Sequence, residues 1–268
     1  MAAAPLRWPA EDLWEAVAPR LPGFTVEILS EIDSTNTELM RRARAGQVDP
    51  VLLVAERQTA GRGRRGRGWV SSPGDSLTFS LGLRLAPADW SGLSLAVGVA
   101  VAEALHPGIG LKWPNDLWIG GRKLAGILVE TASAVVPGRT VDAATASPPA
   151  RHAVIGIGIN LLPRPPVEGA DIAPACLREL WPQVDAPGAL ARIVPPLVGA
   201  LQAFEQQGFA PFGAGFATRD VLRGRDVTLS DGTTGRAAGV DRSGALLVHT
   251  AAGLQPVSSS EVSVRPAS

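Results

Sequence analysis

The sequence predicts an α+β fold followed by a small all-β module. Up to about residue 219, segments with strand-like alternation are interspersed with segments whose apolar residues recur at helical spacing. After Asp220, short apolar runs are separated by turn signals such as Ser230-Asp231-Gly232 and Ala252-Gly253. The 268 residues are 46% hydrophobic and 19% charged, a composition typical of globular chains. We therefore expect a larger domain over residues 1–219 and a module of barrel size over residues 220–268.

Composition and charge exclude several broad classes of protein. The formal net charge is +0, so any affinity for polyanions must be local. Cys176 is the single cysteine, which rules out an internal disulfide and indicates a reducing compartment. The N-terminal residues do not resemble a signal peptide, and the longest apolar run, Leu93 to Leu105, is too short to span a bilayer. We expect a cytoplasmic protein that does not contact a membrane.

The first half of the chain predicts helices and strands in alternation. Thr35 and Glu38 have the spacing of a capping box that would begin the second helix. Asp89 or Ser91 is expected to cap the buried helix that reaches Leu105. The expected elements are a helix at 11–18, strands at 24–32, 51–57 and 77–85, and helices from 35 to about 45 and from about 91 to 105.

The second half predicts central strands and a broken helix. Pro114 and the following Asn-Asp pair favour a hairpin between strands at 109–113 and 117–119. Runs at 124–131 and 153–159 are apolar enough for central strands, and the segment Ser133 to Arg151 is expected to be an exposed, disordered excursion of that hairpin. Pro195-Pro196 is expected to break or kink a helix over 189–207. A last helix is expected within 209–219.

The segment from Gly61 to Trp69 (GRGRRGRGW) combines four arginines with four glycines. Because guanidinium groups cannot be buried without partners and glycine disfavours helix, we expect a mobile cationic loop. Arginine forks and exposed backbone N–H groups suit phosphate or carboxylate. The glycines also satisfy G-x-G-x-x-G, but a dinucleotide fold needs a helix to begin there, and Trp69-Val70-Ser71-Ser72-Pro73 follows instead. The motif alone is therefore compatible with a solvated basic turn.

Other segments place polar residues and glycines among the predicted strands. Lys112 falls on a strand that we expect to be internal, where an unpaired lysine is costly. Gly126, Gly156 and Gly158 remove side chains where something must approach the backbone. Taken singly, each feature has a structural explanation, such as a helix cap, a hairpin-end charge or a bulge. Taken together, they predict a floor of small residues with two lysines, a carboxylate and a cationic lid.

Five segments resemble, in order and spacing, the motifs of the biotin–protein ligase family. They are Ser34–Asn36 (STN), Gln58–Trp69 (QTAGRGRRGRGW), Lys112–Trp118 (KWPNDLW), Gly121–Glu130 (GRKLAGILVE) and Gly156–Asn160 (GIGIN). The resemblance is strong over residues 31–160 and looser in the β module. It implies a mixed β-sheet with flanking helices, related to class II aminoacyl-tRNA synthetases and lipoate ligases, plus a small C-terminal SH3-like β-barrel.

The resemblance also implies a reaction in two steps. The carboxylate of biotin attacks the α-phosphate of ATP with Mg²⁺, giving biotinyl-5′-AMP and pyrophosphate. The ε-amine of a lysine on a biotin carboxyl carrier protein then attacks the mixed anhydride. The nucleophile of each step comes from a substrate, so no catalytic triad is required.

The resemblance assigns roles to residues of this chain. Those expected to be catalytic are Arg64, Lys112, Asp116 and Lys123, with Asp116 the candidate metal ligand. Those expected to contact biotin are Ser34, Thr35, Asn36, Gln58, Gly61, Arg62, Gly63, Arg64, Lys123, Gly126, Gly156 and Gly158. Those expected to contact ATP or the adenylate are Arg62, Arg64, Arg67, Trp69, Lys112, Asn115, Asp116, Asn160 and Arg265.

Two other functions remain open on sequence alone. One is a lipoate–protein ligase, or another acyl-adenylating transferase, of the same fold. The other is a nucleic-acid-binding regulator that uses the arginine segment as a basic arm, which the neutral net charge and the scarcity of nearby aromatic residues disfavour. Some members of the family carry an N-terminal helix-turn-helix. Because only about thirty residues precede Ser34, we expect the form without it, with no DNA partner, acting as a monomer or homodimer.

Overall fold

The computed structural model describes residues 6–133, 150–166 and 173–258, together with the backbone of residues 264–266. The helices are α1 (Ala10–Val17), α2 (Thr35–Arg44), α3 (Leu93–Leu105), α4 (Ala186–Gln207) and α5 (Gly213–Arg219). The strands are β1 (Thr25–Ile32), β2 (Val51–Gln58), β3 (Gly61–Arg62), β4 (Gly68–Trp69), β5 (Ser76–Leu85), β6 (Gly110–Lys112), β7 (Asp116–Ile119), β8 (Arg122–Ser133), β9 (Arg151–Asn160), β10 (Asp226–Leu229), β11 (Thr234–Val240), β12 (Leu246–Thr250), β13 (Gly253–Val257) and β14 (Val264–Pro266).

The larger part of the chain is organised around a seven-stranded mixed sheet. Its strand order is β1-β2-β5-β9-β8-β7-β6. β1 and β2 are parallel, and the other neighbours are antiparallel. The central strands β5 and β9 are buried on both faces over most of their length. On β5 apolar residues alternate with small polar ones such as Thr78 and Ser80. The α+β class with a mixed sheet and flanking helices is therefore confirmed.

The two faces of this sheet are covered unequally. Ile155, Ile157 and Ile159 of β9 belong to the main hydrophobic core, which also includes residues of α3 and α4. Val154, on the opposite face, packs with Leu39 and Met40 of α2 in a smaller cluster. Since side chains alternate along a strand, positions 156, 158 and 160 share the face of Val154. A single helix of ten residues covers only part of that face, and the candidate site lies on the remainder.

The C-terminal strands form a separate antiparallel sheet in the order β13-β12-β11-β10-β14. This small sheet agrees with the SH3-like module expected from the sequence. It is held against the larger part by Trp113, whose Nε1 donates a hydrogen bond to the carbonyl of Gly244 over 3.0 Å. A bridge between Leu111 and Asp220 adds a backbone link. The boundary at residues 219 and 220 remains a prediction.

Two predicted helix caps were wrong. The N-cap of α2 is Ser34, whose Oγ accepts from the backbone N–H of Thr37, and Thr35 is the first helical residue. Its side chain is therefore released from capping and points to Gln58 instead. The N-cap of α3 is Gly92 in a left-handed conformation, without a side-chain cap. Asp89 instead accepts from the N–H of Ser91 in the turn before it.

Of the two outcomes expected at Pro195-Pro196, the break was wrong, because α4 runs unbroken through both prolines. The kink stays a prediction. Proline removes a backbone donor and frees the carbonyl four residues earlier. Here Pro195 and Pro196 are partly exposed, and Arg192, four residues before Pro196, is exposed. Water can therefore satisfy the freed carbonyls, while Ile193, Val194, Leu197 and Val198 stay in the core.

The arginine segment is more regular than expected. β3 and β4 pair with each other as a two-stranded hairpin, and a single 3-10 turn at Arg64–Gly66 lies between them. Arg65 has a φ of 57°, a left-handed conformation that a tight turn among glycines imposes. Most of the predicted excursion between Ser133 and Arg151 lies outside the described residues. These two end residues pair across β8 and β9, as a hairpin requires.

None of the helices in the described ranges is long and apolar enough to cross a membrane.

His152 on β9 is a buried titratable group, with 1% of its surface exposed. Its Nδ1 finds no hydrogen-bond partner in the described part of the chain. Burial lowers the pKa of the imidazole below 6.5, and the positive charge of Arg84 lowers it further. The unfolded chain therefore takes up this proton more readily than the folded protein. The contribution to stability is present above about pH 6.5 and is lost as the pH falls.

We predict that His152→Met makes the fold less sensitive to acid. Methionine keeps most of the volume and removes the proton that must be taken up on unfolding. The measurement is the urea midpoint of parent and variant between pH 7.5 and pH 5. The two midpoints should converge or cross as the pH falls, because the parent loses more stability. Parallel pH profiles would contradict the account.

Candidate functional site

The floor of the candidate site consists of small residues on the α2 face of the three central strands. A Cβ placed on Gly156 would lie closer than 3.0 Å to the side-chain oxygen of Asn36, and one on Gly158 equally close to the indole of Trp69. Two side chains therefore rest directly on the backbone of the sheet, which any larger residue would prevent. The floor residues are Thr78 and Ser80 on β5, Gly126 on β8, and Gly156 and Gly158 on β9.

One end of the floor carries a buried polar cluster at the start of α2. The N–H and Oγ1 of Thr35 donate to Oε1 of Gln58 over 2.8 and 3.2 Å. The Oγ of Ser80 lies 2.7 Å from Thr35 Oγ1 and 2.6 Å from Asn36 Oδ1. Ser34, Thr35 and Asn36 are each less than 5% exposed. A buried cluster of both donors and acceptors can hold an amide-like ligand in one orientation.

Glu130 connects this cluster to the arginine segment. Asn36 Nδ2 donates to Glu130 Oε2 over 3.0 Å and to the carbonyl of Leu128. Arg62 pairs with the other carboxylate oxygen at 3.1 Å and donates to Thr37 Oγ1 at 3.2 Å. The β3 end of the hairpin is therefore fastened to both α2 and β8. Sequence reasoning had given Glu130 and Thr37 no role.

Arg64 reaches the other side of the site. Its Nη1 donates to Asn115 Oδ1 over 3.2 Å, and Asn115 in turn donates to the carbonyl of Ile127 over 2.8 Å. Burial lowers the pKa of Arg64, and the negative charge of Asp116 opposes that shift. The guanidinium is thus partly desolvated and lies near a carboxylate. Such a cation attracts an anion more strongly than a solvated one would.

The two lysines lie at the β6–β7–β8 end. Lys123 Nζ is 2.8 Å from Asp116 Oδ1 and borders Gly126. The Cα of Lys112 lies opposite that of Asp116 in the register of β6 and β7. The Nζ of Lys112 lies 5.0 Å from the ring centroid of Trp118. The expectation that Lys112 lies on an internal strand was wrong, because β6 is the edge of the sheet. At an edge the ammonium can lie over an aromatic face and remain partly hydrated.

Two of the residues expected to contact the nucleotide, Trp69 and Asn160, lie near the C-terminal end of β9. Trp69 covers Gly158, and its buried Nε1 has no hydrogen-bond partner among the described residues. Asn160 donates to the carbonyl of Ala175 over 3.3 Å and accepts from Arg164 over 3.2 Å. Arg164 also donates to the carbonyl of Val70 over 2.6 Å. Arg164 thereby ties the β4 end of the hairpin to β9.

The remaining predicted residues lie in the hairpin or have side chains outside the described residues. Gly61 and Gly63 form the first half of the hairpin, and Arg67 is exposed. The side chain of Arg265 lies outside the described residues. Sequence reasoning missed Ser80, Glu130 and Arg164. Ser80 carried a weak signal, because a polar residue at the centre of an apolar strand needs a partner.

A groove of about 560 Å³ opens beside the arginine segment. Its walls are the hairpin turn, the start of α3 and the part of β8 that extends beyond β7. The charged residues on its border are Arg62, Arg64, Arg65, Glu130 and Arg151. The groove therefore carries a predominantly positive border.

No three His, Cys, Asp or Glu side chains within residues 6–133, 150–166 and 173–258 come close enough together to hold a metal ion. Asp116 is a single carboxylate beside Lys123. Magnesium is commonly held by one or two carboxylates together with substrate phosphates, so this donor set fits a metal that arrives with a nucleotide.

Two sequence-family models match the chain. Residues 29–160 match the biotin/lipoate A/B protein ligase family, and residues 224–265 match the biotin protein ligase C-terminal domain. A protein of Escherichia coli described as the bifunctional ligase/repressor BirA is 38% identical over 92% of this chain and 76% of its own length. A biotin–[acetyl-CoA-carboxylase] ligase of Paracoccus denitrificans is 31% identical over 88% of this chain and 98% of its own length.

Solved structures show the same similarity. Biotin protein ligase from Aquifex aeolicus, in complex with biotin and ATP, superimposes with a TM-score of 0.72. The match covers 90% of this chain and 99% of that protein, at 29% sequence identity.

We predict that Glu130→Gln loosens the arginine hairpin without unfolding the protein. The glutamine keeps an oxygen for Asn36 but removes the charge that holds Arg62. Because the pair is partly exposed, stability should fall by no more than about 1 kcal/mol. Amide exchange of residues 61–69 should become faster.

The matched control is Glu31→Gln, which breaks the exposed ion pair with Arg57 and does not contact the hairpin. That variant should leave exchange at 61–69 unchanged. If the two variants affected the hairpin equally, Glu130 would not be fastening it.

Proposed function

The chain belongs to the biotin/lipoate A/B protein ligase family, and we propose that it is an ATP-dependent biotin–protein ligase. It forms biotinyl-5′-AMP from biotin and ATP and transfers biotin to a lysine of the biotin carboxyl carrier protein of a carboxylase. The observation that carries this proposal is the glycine floor, with a neutral polar cluster at one end and cations at the other. A ligand with an amide-like head and a carboxylate tail matches that polarity.

The head of biotin is assigned to the polar cluster. A ureido group carries two N–H donors and one carbonyl acceptor in a rigid ring. Ser34, Thr35, Asn36 and Gln58 offer both kinds of partner within a buried pocket. The glycines at 126, 156 and 158 let Lys123, Asn36 and Trp69 lie directly against the sheet, which leaves space above them for the flat bicycle. A site that pairs every polar atom of its ligand discriminates strongly against analogues that lack one.

The carboxylate of biotin and the α-phosphate of ATP are assigned to the opposite end. Two anions must meet there, so the barrier is largely electrostatic and positive groups fixed in advance lower it. Arg64, Lys112 and Lys123 supply that charge, and Arg62 adds to it from its position beside Glu130. The guanidinium of Arg64 is partly buried, so its field is less screened by water than that of a fully exposed cation.

The nucleotide is assigned to the hairpin and the end of β9. Trp69 offers an aromatic face and an unpaired indole N–H, and Asn160 offers a side-chain amide oriented by Arg164. Asn115, Arg67 and Arg265 are further candidates near the phosphates. Mg²⁺ would be held by Asp116 together with phosphate oxygens, and it would neutralise charge on the polyphosphate.

The arginine hairpin is assigned the role of a lid. It is fastened at one end through Arg62 to Glu130 and at the other through Val70 to Arg164. The intervening glycines allow it to open for substrates. A closed lid would keep water from the mixed anhydride until the acceptor lysine arrives. We further propose that the enzyme works in the cytoplasm, where ATP is available and Cys176 remains a thiol.

The proposed function is tested by biotin-dependent exchange of labelled pyrophosphate into ATP. We expect exchange with biotin and none with lipoate in its place. Exchange with lipoate alone would assign the chain to the lipoate branch of the family. Absence of exchange with both acids would contradict adenylate formation.

We predict that both Lys112→Met and Lys123→Met lose adenylate formation while keeping the fold. Removing one positively charged group that stabilises the negative charge of the transition state raises the barrier by about 3 kcal/mol, which lowers the rate roughly a hundredfold. Methionine keeps the apolar stem, so the melting temperature should change little. The measurements are pyrophosphate exchange and thermal melting. Arg44→Met, which removes an exposed cation at the far end of α2, is the control and should exchange normally. Normal exchange in either lysine variant would remove that lysine from the site.

A further inference from the structure

The distribution of lysine in this chain is unusual. Of its 25 lysine and arginine residues, only Lys112 and Lys123 are lysines. Both lie within the candidate site, and every other positively charged side chain of that group is an arginine. The protein therefore carries a normal number of cations but very few primary amines.

Arg62, Arg64, Arg65 and Arg151 line the groove beside the hairpin. Of these, Arg64 is assigned to the end of the site where the activated acyl group would be formed. Positive charge is needed here to attract a carboxylate and a nucleotide. Lysine would supply the same charge, so the electrostatic requirement alone does not explain the choice.

The two side chains differ in what they do to a mixed anhydride. A lysine amine, once deprotonated, is a nucleophile, and it is the group that the acceptor protein itself provides. The guanidinium stays protonated and its nitrogen lone pairs are delocalised, so it does not compete. At the border of the groove, arginine therefore supplies a cation that attracts the intermediate without reacting with it.

The two lysines that remain are both held by neighbours. Lys123 Nζ lies 2.8 Å from the carboxylate of Asp116. Lys112 Nζ lies 5.0 Å from the centroid of the Trp118 ring. Each ammonium is thus positioned by a contact of its own strand pair or hairpin and does not extend freely into the groove.

We propose that the arginine border of the groove is a specificity device that protects the enzyme from acylation by its own intermediate. This rests on the proposed function. With arginine at the border, the adenylate meets no amine there, while Lys112 and Lys123 are held by Trp118 and Asp116. Biotin is then delivered to the acceptor lysine of the partner rather than to the ligase.

The reaction that the border prevents is a simple acyl transfer. A lysine nitrogen at the border would attack the carbonyl carbon of biotinyl-5′-AMP. The new carbon–nitrogen bond would form as the bond from that carbon to the phosphate oxygen breaks, and AMP would leave with the electron pair. The nitrogen would release its proton to solvent. The product is an ordinary amide, so the modification would be permanent.

The test converts single arginines to lysine, which keeps the charge and adds an amine. Arg65→Lys places an amine on the border next to Arg64, and Arg65 has not been assigned to catalysis or substrate binding. Arg44→Lys is the matched control, because Arg44 is also exposed and lies about 14 Å along α2 from the polar cluster. Each protein is incubated with biotin and ATP, without acceptor, and biotin is located by mass spectrometry. Pyrophosphate exchange is measured on the same samples.

The expected result is at least tenfold more self-biotinylation in Arg65→Lys than in the parent or in Arg44→Lys, with the label on the new lysine. Equal labelling of Arg44→Lys and Arg65→Lys would overturn the proposal, since it would mean that escaped adenylate reacts wherever lysine exists. An unlabelled Arg65→Lys variant with normal exchange would also overturn it, and so would labelling of Lys112 or Lys123 in the parent. Absence of exchange in the parent would instead count against the proposed function.

Discussion

The candidate site depends on direct contact between two side chains and the backbone of the central sheet. Asn36 rests on Gly156, and Trp69 rests on Gly158. This contact fixes the position of α2, which carries Asn36, and of the hairpin, which carries Trp69. The remaining polar contacts of the site then follow. Three contacts form only because α2 and the hairpin lie this close to β8 and β9. They are the hydrogen bond from Thr35 to Gln58, the ion pair between Arg62 and Glu130, and the hydrogen bond from Arg164 to the carbonyl of Val70.

The second constraint is electrostatic. An enzyme that joins a carboxylate to a nucleotide must gather positive charge without burying it beyond the reach of water or a partner. In this structure each inner cation has an anionic, polar or aromatic contact: Glu130 for Arg62, Asn115 for Arg64, Asp116 for Lys123 and Trp118 for Lys112. These contacts keep the charges oriented before substrate arrives. An anionic substrate can then exchange with them at little cost in reorganisation.

The sequence predicted the sheet strands well because their patterns are local. The apolar run of β9 and the alternation of β1 and β5 are visible in any window of eight residues. The family motifs likewise named most of the residues on the floor. Errors arose where tertiary packing decided the outcome. Ser34, rather than Thr35, caps α2, because Thr35 donates a hydrogen bond to Gln58. Helix α4 continues through Pro195 because the prolines lie on its outer side. Glu130, Ser80 and Arg164 were missed because their partners lie 44 to 94 residues away or on a loop of no regular pattern.

The central claim is that the two floor glycines position Asn36 and Trp69, which contact two different parts of the ligand. The direct measurement is isothermal titration of biotin and of ATP into Gly156→Ala and Gly158→Ala, with Gly199→Ala on α4 as the control. A methyl group at 156 should displace Asn36 and weaken biotin binding at least tenfold, which is about 1.4 kcal/mol. A methyl group at 158 should displace Trp69 and weaken ATP binding by at least as much, with a smaller effect on biotin. If both variants bound both ligands as tightly as the control, the floor would not be the seat of the site.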